Sequence, residues 1–191
     1  MKVLGINGSP RKDGNTAIMI RTALDELEKA GVETELYQFS GKTIHGCKAC
    51  MKCFQNKDKK CAFDDDDFNQ CLEKMINADG IILGSPTYFT DVTSEMKGLI
   101  DRAGFVSFAN GRFFRRKTGA AVVAVRRAGS THVFDTLNHF FLISEMMVPG
   151  SKYWNMGIGR EKGEVLKDDE GLGTMKVLGE NMAWMMKRLY V

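Results

Sequence analysis

No run of apolar residues in this 191-residue chain approaches the roughly 18 that a transmembrane helix needs, so no span of that kind is expected. The opening Met1-Lys2-Val3-Leu4-Gly5-Ile6 lacks the long apolar region and small-residue cleavage site of a secretory signal, and a cytoplasmic setting is the expectation. A large charge excess is lacking too. The 27 basic and 24 acidic residues leave a net +3, too slight for a nucleic-acid binder but compatible with anionic small ligands. No internal repeat, low-complexity linker or Pro/Gly/Ser-rich stretch divides the chain, so one domain over residues 1–191 is expected. The three histidines, His45, His132 and His139, fall at no recognisable metal-ligand spacing.

What is present is a core-forming composition and an unusual use of cysteine. The 43% apolar content is enough to offset the entropy of folding, which argues against a disordered chain. Of the five cysteines, Cys47, Cys50, Cys53 and Cys61 crowd one segment and Cys71 stands apart. An odd count without a signal peptide argues against a secreted disulfide scaffold. In a reducing compartment, dense cysteines point to metal or redox chemistry.

Short apolar runs alternate with segments of helical period. Val3–Ile6, Val32–Phe39, Gly80–Gly84, Ala120–Val125 and a segment near Tyr153–Ile158 read as strands. Helices are expected from Thr16 to about Ala30, from Asp64–Asp67 through Ile76, around Met96–Ile100, over Phe134–Met147 and over Met175–Tyr190. The last should turn Met, Leu and Trp inward, and the acid run Asp64–Asp67 should cap its helix. Lys57, Lys59, Lys60 and the stretch Arg112–Lys117 should be solvated, the first group available to an acidic electron donor. This alternation suits an α/β domain with a doubly wound, five-stranded parallel sheet and helices on both faces, of flavodoxin-like type. A cysteine-rich insertion then occupies residues 40–63. In such a fold ligands bind beyond the carboxyl ends of the strands, where the strand order reverses.

The loop Gly8-Ser9-Pro10-Arg11-Lys12-Asp13-Gly14-Asn15-Thr16 joins the first strand to the first helix. It offers backbone N–H groups at a helix N-terminus, two hydroxyls, an amide and two cations, a set suited to one phosphate. Its plainer role is a polar loop with Asn15 or Thr16 as helix cap. Neither Gly-x-Gly-x-x-Gly nor the Gly-Lys-Ser/Thr ending of a Walker loop occurs here, so dinucleotide and triphosphate loops are excluded.

Gly8-Ser9-Pro10-Arg11 with Gly14-Asn15-Thr16 resembles the FMN phosphate loop of the NADPH-dependent FMN reductase family. Gly84-Ser85-Pro86-Thr87-Tyr88-Phe89 resembles that family's flavin-ring loop, and the likeness continues through Ser94-Glu95-Met96-Lys97 and Asp101-Arg102. The resemblance implies bound FMN, NAD(P)H-linked redox chemistry and a homodimer or homotetramer. It places Ser9, Arg11, Asn15 and Thr16 at the phosphate and Pro86, Thr87, Tyr88 and Phe89 at the ring, where Tyr88 and Phe89 either cover one face or pack beneath the loop. A third loop, Val125-Arg126-Arg127-Ala128-Gly129-Ser130, brings Arg126 and Arg127 either to the reduced flavin or nicotinamide phosphates, or to solvent.

Cys47, Cys50, Cys53 and Cys61 follow the pattern Cys-x2-Cys-x2-Cys-x7-Cys. Three thiolates at this spacing can turn around one face of a cluster, and a fourth can close it. Zinc sites more often pair two separate Cys-x2-Cys knuckles, and free exposed thiols invite oxidation. The segment resembles the compact motif of the iron–sulfur flavoproteins, which implies a [4Fe-4S] cluster on these four cysteines, near the FMN of a neighbouring subunit. Cys71 should be a small buried hydrophobe. A cluster in a long loop is open to oxygen, so aerobic protein is expected to keep FMN while the segment from Cys47 to Cys61 is empty or disordered. The expected function is electron transfer between FMN and the cluster, with no catalytic side chain and with a redox partner protein or small molecule completing the path. The alternatives are an NAD(P)H-dependent FMN or quinone reductase with free or zinc-bound cysteines, and a non-enzymatic redox-sensing module.

Overall fold

The apolar runs of the sequence form one five-stranded sheet in the computed structural model, which describes residues 1–190. The strands β1 (Lys2–Asn7), β2 (Glu33–Gln38), β3 (Gly80–Pro86), β4 (Thr118–Val125) and β5 (Met156–Ile158) all pair in parallel, in the order β2-β1-β3-β4-β5. The helices are α1 (Asn15–Lys29), α2 (Lys52–Asn56), α3 (Phe68–Asn77), α4 (Ser94–Ala109), α5 (Ser130–Ile143) and α6 (Asp169–Leu189). The strand order reverses between β1 and β3, as the flavodoxin-like reading requires.

A central parallel strand is covered on both faces, so every position must be apolar or small. β4, Thr-Gly-Ala-Ala-Val-Val-Ala-Val, is buried along its whole length, whereas the edge strand β2 keeps polar residues and is mostly half-buried. Successive residues feed opposite layers. Val3, Ile82 and Val122 meet α1 and α6, while Leu4, Ile6, Ile81, Leu83 and Val123 meet α3, α4 and α5. Met19, Met75, Met96, Met175, Met182 and Met186 are fully buried, as ordinary core. Each such side chain contributes roughly 1.5–3 kcal/mol. No helix among the described residues is long and apolar enough to cross a membrane.

Several expectations are corrected. Helix α5 begins at Ser130 rather than Phe134, directly after Gly129 (φ 88°), and stops at Ile143, short of Glu145, itself left-handed at φ 59°. Helix α6 begins at Asp169, because the Asp168 carboxylate caps it by accepting from Gly171 N–H at 2.9 Å. Trp184 is not on its inner face; it is 64% exposed, with the Arg188 guanidinium over its ring. The cysteine segment is not wholly irregular, for it contains the single-turn helix α2. Asp67 stands at the N-cap of α3, but its side chain accepts from Thr43 N–H (2.9 Å) instead of capping. The stretch Arg112–Lys117 is not uniformly solvated. Phe114 is fully buried, and the half-buried Lys117 ammonium donates to the carbonyls of Ile76 and Ala78.

The edge strand also carries an ion network, in which Glu35 meets Lys74 at 2.6 Å and Lys2 at 3.0 Å. The Lys74 ammonium, against the opposing effect of partial burial and with help from Lys2, holds the Glu35 carboxyl below its ordinary pKa. A depressed carboxyl contributes stability above its unfolded pKa and loses it as pH falls through the folded value. Glu35→Gln should therefore lower the urea midpoint at neutral pH by the equivalent of up to about 1 kcal/mol. The difference from the parent protein should shrink below about pH 4, as urea titrations from pH 3 to 7 would show.

Candidate functional site

The β1–α1 loop is held by a hydrogen-bond frame at the carboxyl edge of the sheet. Gly8 N–H reaches Gly84 O at 2.8 Å, Thr93 Oγ1 donates to Gly8 O at 2.9 Å, and Ser9 N–H donates to Asn7 Oδ1 at 3.0 Å. Gln38 Oε1 accepts from Asn7 Nδ2 (3.1 Å) and from Asp13 N–H (3.0 Å), fastening the loop to β2. The N-cap of α1 is Gly14, and no side chain caps the helix. The first-turn N–H groups and the positive end of the helix dipole thus face outward, ready for an anion. Asn15 does not act as a cap. It donates to Glu161 O (2.9 Å) and accepts from Val165 N–H (3.4 Å), while Arg11 donates to Arg160 O (3.1 Å). Gly159 makes this approach possible, since a Cβ there would lie 2.8 Å from Asn15 Nδ2.

The result is a cavity of about 250 Å³ beyond β1, β3, β4 and β5. Ser9, Arg11, Asn15, Thr16, Pro86, Thr87, Tyr88 and Arg126 line it together, although they come from three separate loops. Phe89 does not join them. It is fully exposed in a left-handed conformation (φ 47°), followed by Thr90 (φ 65°), so it neither faces the cavity nor packs beneath the loop. Side-chain residues with positive φ are strained, and two in succession mark a loop whose shape is imposed by its surroundings. Arg127 is likewise outside this cavity and borders an adjoining one of about 290 Å³ with Arg126 and Thr87.

Sequence reasoning missed Ala124, Gly159, Arg160 and Lys162, which complete the lining. The loop after β5 carries no motif, but the fold places every loop that follows a strand at this same edge. Arg11, Arg126, Arg160 and Lys162 surround the cavity without any Asp or Glu in its wall, so its field favours a phosphate. Thr87 Oγ1 is buried against the cavity with no partner in the protein. Leaving such a hydroxyl unpaired costs about 1–3 kcal/mol, which a polar ligand edge would recover. The uncapped helix, the four cations and this orphaned hydroxyl together fit FMN.

The four clustered cysteines line a second, small and mainly apolar cavity, walled also by Phe63, Phe105, Val106 and Arg102. Ala49 (φ 51°) and Met51 (φ 58°) are left-handed, and these reversals turn Cys47, Cys50 and Cys53 around the same space. Ala49 N–H donates to Cys47 Sγ at 3.4 Å. Asn69 on α3 clamps the Cys61 backbone in both directions at 2.9 Å. Burial raises the pKa of Cys53, so its thiolate needs a positive partner. Among the described residues, no three His, Cys, Asp or Glu side chains stand close enough together to share one metal ion. Four thiols in one cavity wall are a donor set that could hold an iron–sulfur cluster or zinc. Cys71 is fully buried in the core, and burial pushes its thiol well up, so it stays protonated and apart.

Comparisons with known proteins bear on the family and the fold. A family model described as NADPH-dependent FMN reductase matches residues 1–161. An iron–sulfur flavoprotein of Methanocaldococcus jannaschii is 39% identical, over 98% of this chain and 98% of that protein. Among solved structures, a flavone reductase gives a TM-score of 0.74 at 21% identity, covering 98% of this chain and 63% of its own. A flavodoxin from the domain Archaea gives 0.64 at 18% identity, covering 98% and 99%. At those identities the two structures speak for the fold alone.

Because Arg11 and Asn15 both face the cavity and hold the 159–165 segment over it, replacing both with alanine should weaken FMN binding. Loss of charged and polar contacts of this kind corresponds to roughly 10- to 100-fold in Kd. Fluorescence titration of the flavin-free protein checks this, with circular dichroism confirming an intact fold.

Proposed function

This chain belongs to the NADPH-dependent FMN reductase family and, within it, to the iron–sulfur flavoproteins, and we propose that it passes electrons between FMN and a [4Fe-4S] cluster. It is an FMN redox protein of flavodoxin-like fold and a flavin oxidoreductase. The observation that carries the finer reading is the placement of Cys47, Cys50, Cys53 and Cys61 around one cavity, apart from the flavin cavity.

When bound, FMN exchanges one or two electrons and the cluster passes them singly, so together they convert between the two currencies. The protein supplies binding, orientation and electrostatics. The α1 N-terminus with Ser9, Arg11, Asn15 and Thr16 would hold the phosphate. Pro86, Thr87 and Tyr88 would meet the ring, and Arg126 would balance charge on it. Arg126 and Arg127 beside the adjoining cavity favour an anionic electron donor such as NAD(P)H. The exposed Lys57, Lys59 and Lys60 favour an acidic protein partner at the cysteine side.

A homodimer or homotetramer belongs to this proposal. An apolar groove of about 430 Å³ runs between α4 and α5, with Phe105, Phe108 and Ile143 in its walls. Its lining includes Asp91, whose backbone pairs with Tyr88 of the flavin loop, and Phe105, which also walls the cysteine cavity. A second copy seated there would bring one protomer's cysteines towards its partner's flavin loop.

Anaerobic reconstitution should give about four irons per chain, with sulfide, and a broad cluster absorbance over the flavin bands. Cys50→Ser should lose that absorbance and keep FMN, whereas Cys71→Ser should keep both. Stoichiometric zinc without iron would put a plain flavin reductase in place of this reading. In sedimentation velocity the protein should run as a dimer or tetramer, and Ile143→Glu, altering a residue 62% exposed in the isolated chain, should yield FMN-bound monomer. A monomeric parent protein at micromolar concentration would remove the second copy from the groove.

A further inference from the structure

The cysteine segment is closed at its base by an ion pair that neither flavin binding nor cysteine ligation uses. Arg102 on α4 has 2% of its side chain exposed, and its partner Asp66 has 0%. The guanidinium meets Asp66 and His45 O (3.2 Å) through Nη1, and Phe63 O (2.9 Å) through Nη2. It also stacks 3.9 Å from the centre of the Phe68 ring. Asp66 in turn accepts from the N–H groups of His45 (2.7 Å) and Phe68 (3.2 Å). One pair therefore gathers both ends of the loop, just before Cys47 and just after Cys61. Gly98, one turn earlier on α4, allows the loop to lie this close, since a Cβ there would sit 2.8 Å from His45 O.

The pair is also oriented. Arg102 forms part of the wall of the cysteine cavity and Asp66 does not, so the positive end faces the sulfurs. Burial works against the Arg102 charge, and the ion pair with Asp66 opposes that effect. A buried ion pair adds little to stability compared with an apolar substitute, but removing one partner strands a charge. Resting on the reading that the four cysteines hold an iron–sulfur cluster, we propose that the Arg102–Asp66 pair is a positioning device that shapes the cysteine loop before metal arrives and sets the cluster's reduction potential afterwards. Uptake of one electron makes the cluster and its thiolates more negative by one charge, with no proton taken up. A guanidinium in the cavity wall favours that state, and the carboxylate behind it tempers the effect. Net charge and hydrogen bonds to sulfur are two main levers on such a potential.

The test uses anaerobically reconstituted protein titrated with dithionite, following the cluster absorbance, with the potential of bound FMN as internal reference. Asp66→Asn leaves the cation unopposed and should raise the cluster potential, while Arg102→Met leaves the carboxylate unopposed and should lower it. Shifts of opposite sign in these directions support the proposal, and the reversed pair overturns it. Unmoved potentials, or shifts in one direction, overturn the tuning role, because an anchor loosened from either side would disturb the cluster alike. If Arg102→Met takes up no cluster, Arg102→Lys keeps the charge without the fork; its potential should stay nearer that of the parent than Asp66→Asn does, and the reverse order overturns the proposal. If the parent protein itself takes up no iron, the cluster reading fails on its own, and the metal-free protein still tests the clamp. Trypsin, which has Lys48, Lys52, Lys57, Lys59 and Lys60 as targets within the loop, should then cut Arg102→Lys and Gly98→Ala there at least roughly tenfold faster than the parent. Unchanged cutting overturns the positioning role.

Discussion

Everything functional in this protein depends on the parallel pairing of β1 with β3. Parallel strands end at the same edge, so the loops that follow them must emerge side by side. The reversal of strand order sends the chain from β1 towards β2 on one side and leaves β3 adjacent on the other, which opens a crevice between the two loops. Gly8 N–H bound to Gly84 O ties those loops directly to each other. The register of β1 and β3 thereby sets the distance between an uncapped helix terminus and the strained turn at Phe89–Thr90.

The two sites are held by different physics. The cavity hangs on β1, β3 and β4, strands buried along nearly their whole length, so its frame shares the rigidity of the core. The cysteine loop leaves the edge strand β2 and makes a long excursion with left-handed residues at Ala49, Met51, Lys57 and Lys59. No sheet supports it. Its order comes from side chains on and beside α3 and α4: Asn69 to Cys61, Asn110 just past α4 to Lys59, and Arg102 with Asp66 at the base. A loop held in this way is anchored at its two ends, at His45 and Phe63, rather than at its tip.

The separation also suits the chemistry. Cations line the cavity beyond the strand ends, and a largely apolar wall surrounds the sulfurs. An apolar surround lowers the local dielectric and magnifies the effect of each charge within it, here the Arg102 guanidinium and the Lys48 ammonium over the Phe63 ring. Phe105 joins the cysteine cavity to the exposed groove between α4 and α5.

The strands and their burial were legible in the sequence, because a strand covered on both faces must be an unbroken apolar run, as Ile81–Leu83 and Ala120–Val125 are. The phosphate loop and the cysteine spacing were legible for the same reason: each is local, and its chemistry lies in neighbouring residues. Helix ends were less so, since the start of α5 depends on the conformation of Gly129 and that of α6 on a capping bond from Asp168. Phe89 had the composition of a ring-stacking residue, but a backbone torsion turned it outward. The residues 159–162 carry no pattern of their own and became part of the cavity only because β5 ends beside β4. Asp66 read as one member of a helix-capping acid run and Arg102 as part of a family motif on a later helix, and nothing local linked the two. Local sequence by itself determined which chemical groups this protein carries and in what spacing. Tertiary structure alone decided which of them meet, because contacts across tens of residues, such as Arg102 with Asp66 or Asn15 with Val165, are set by how the layers pack on the sheet.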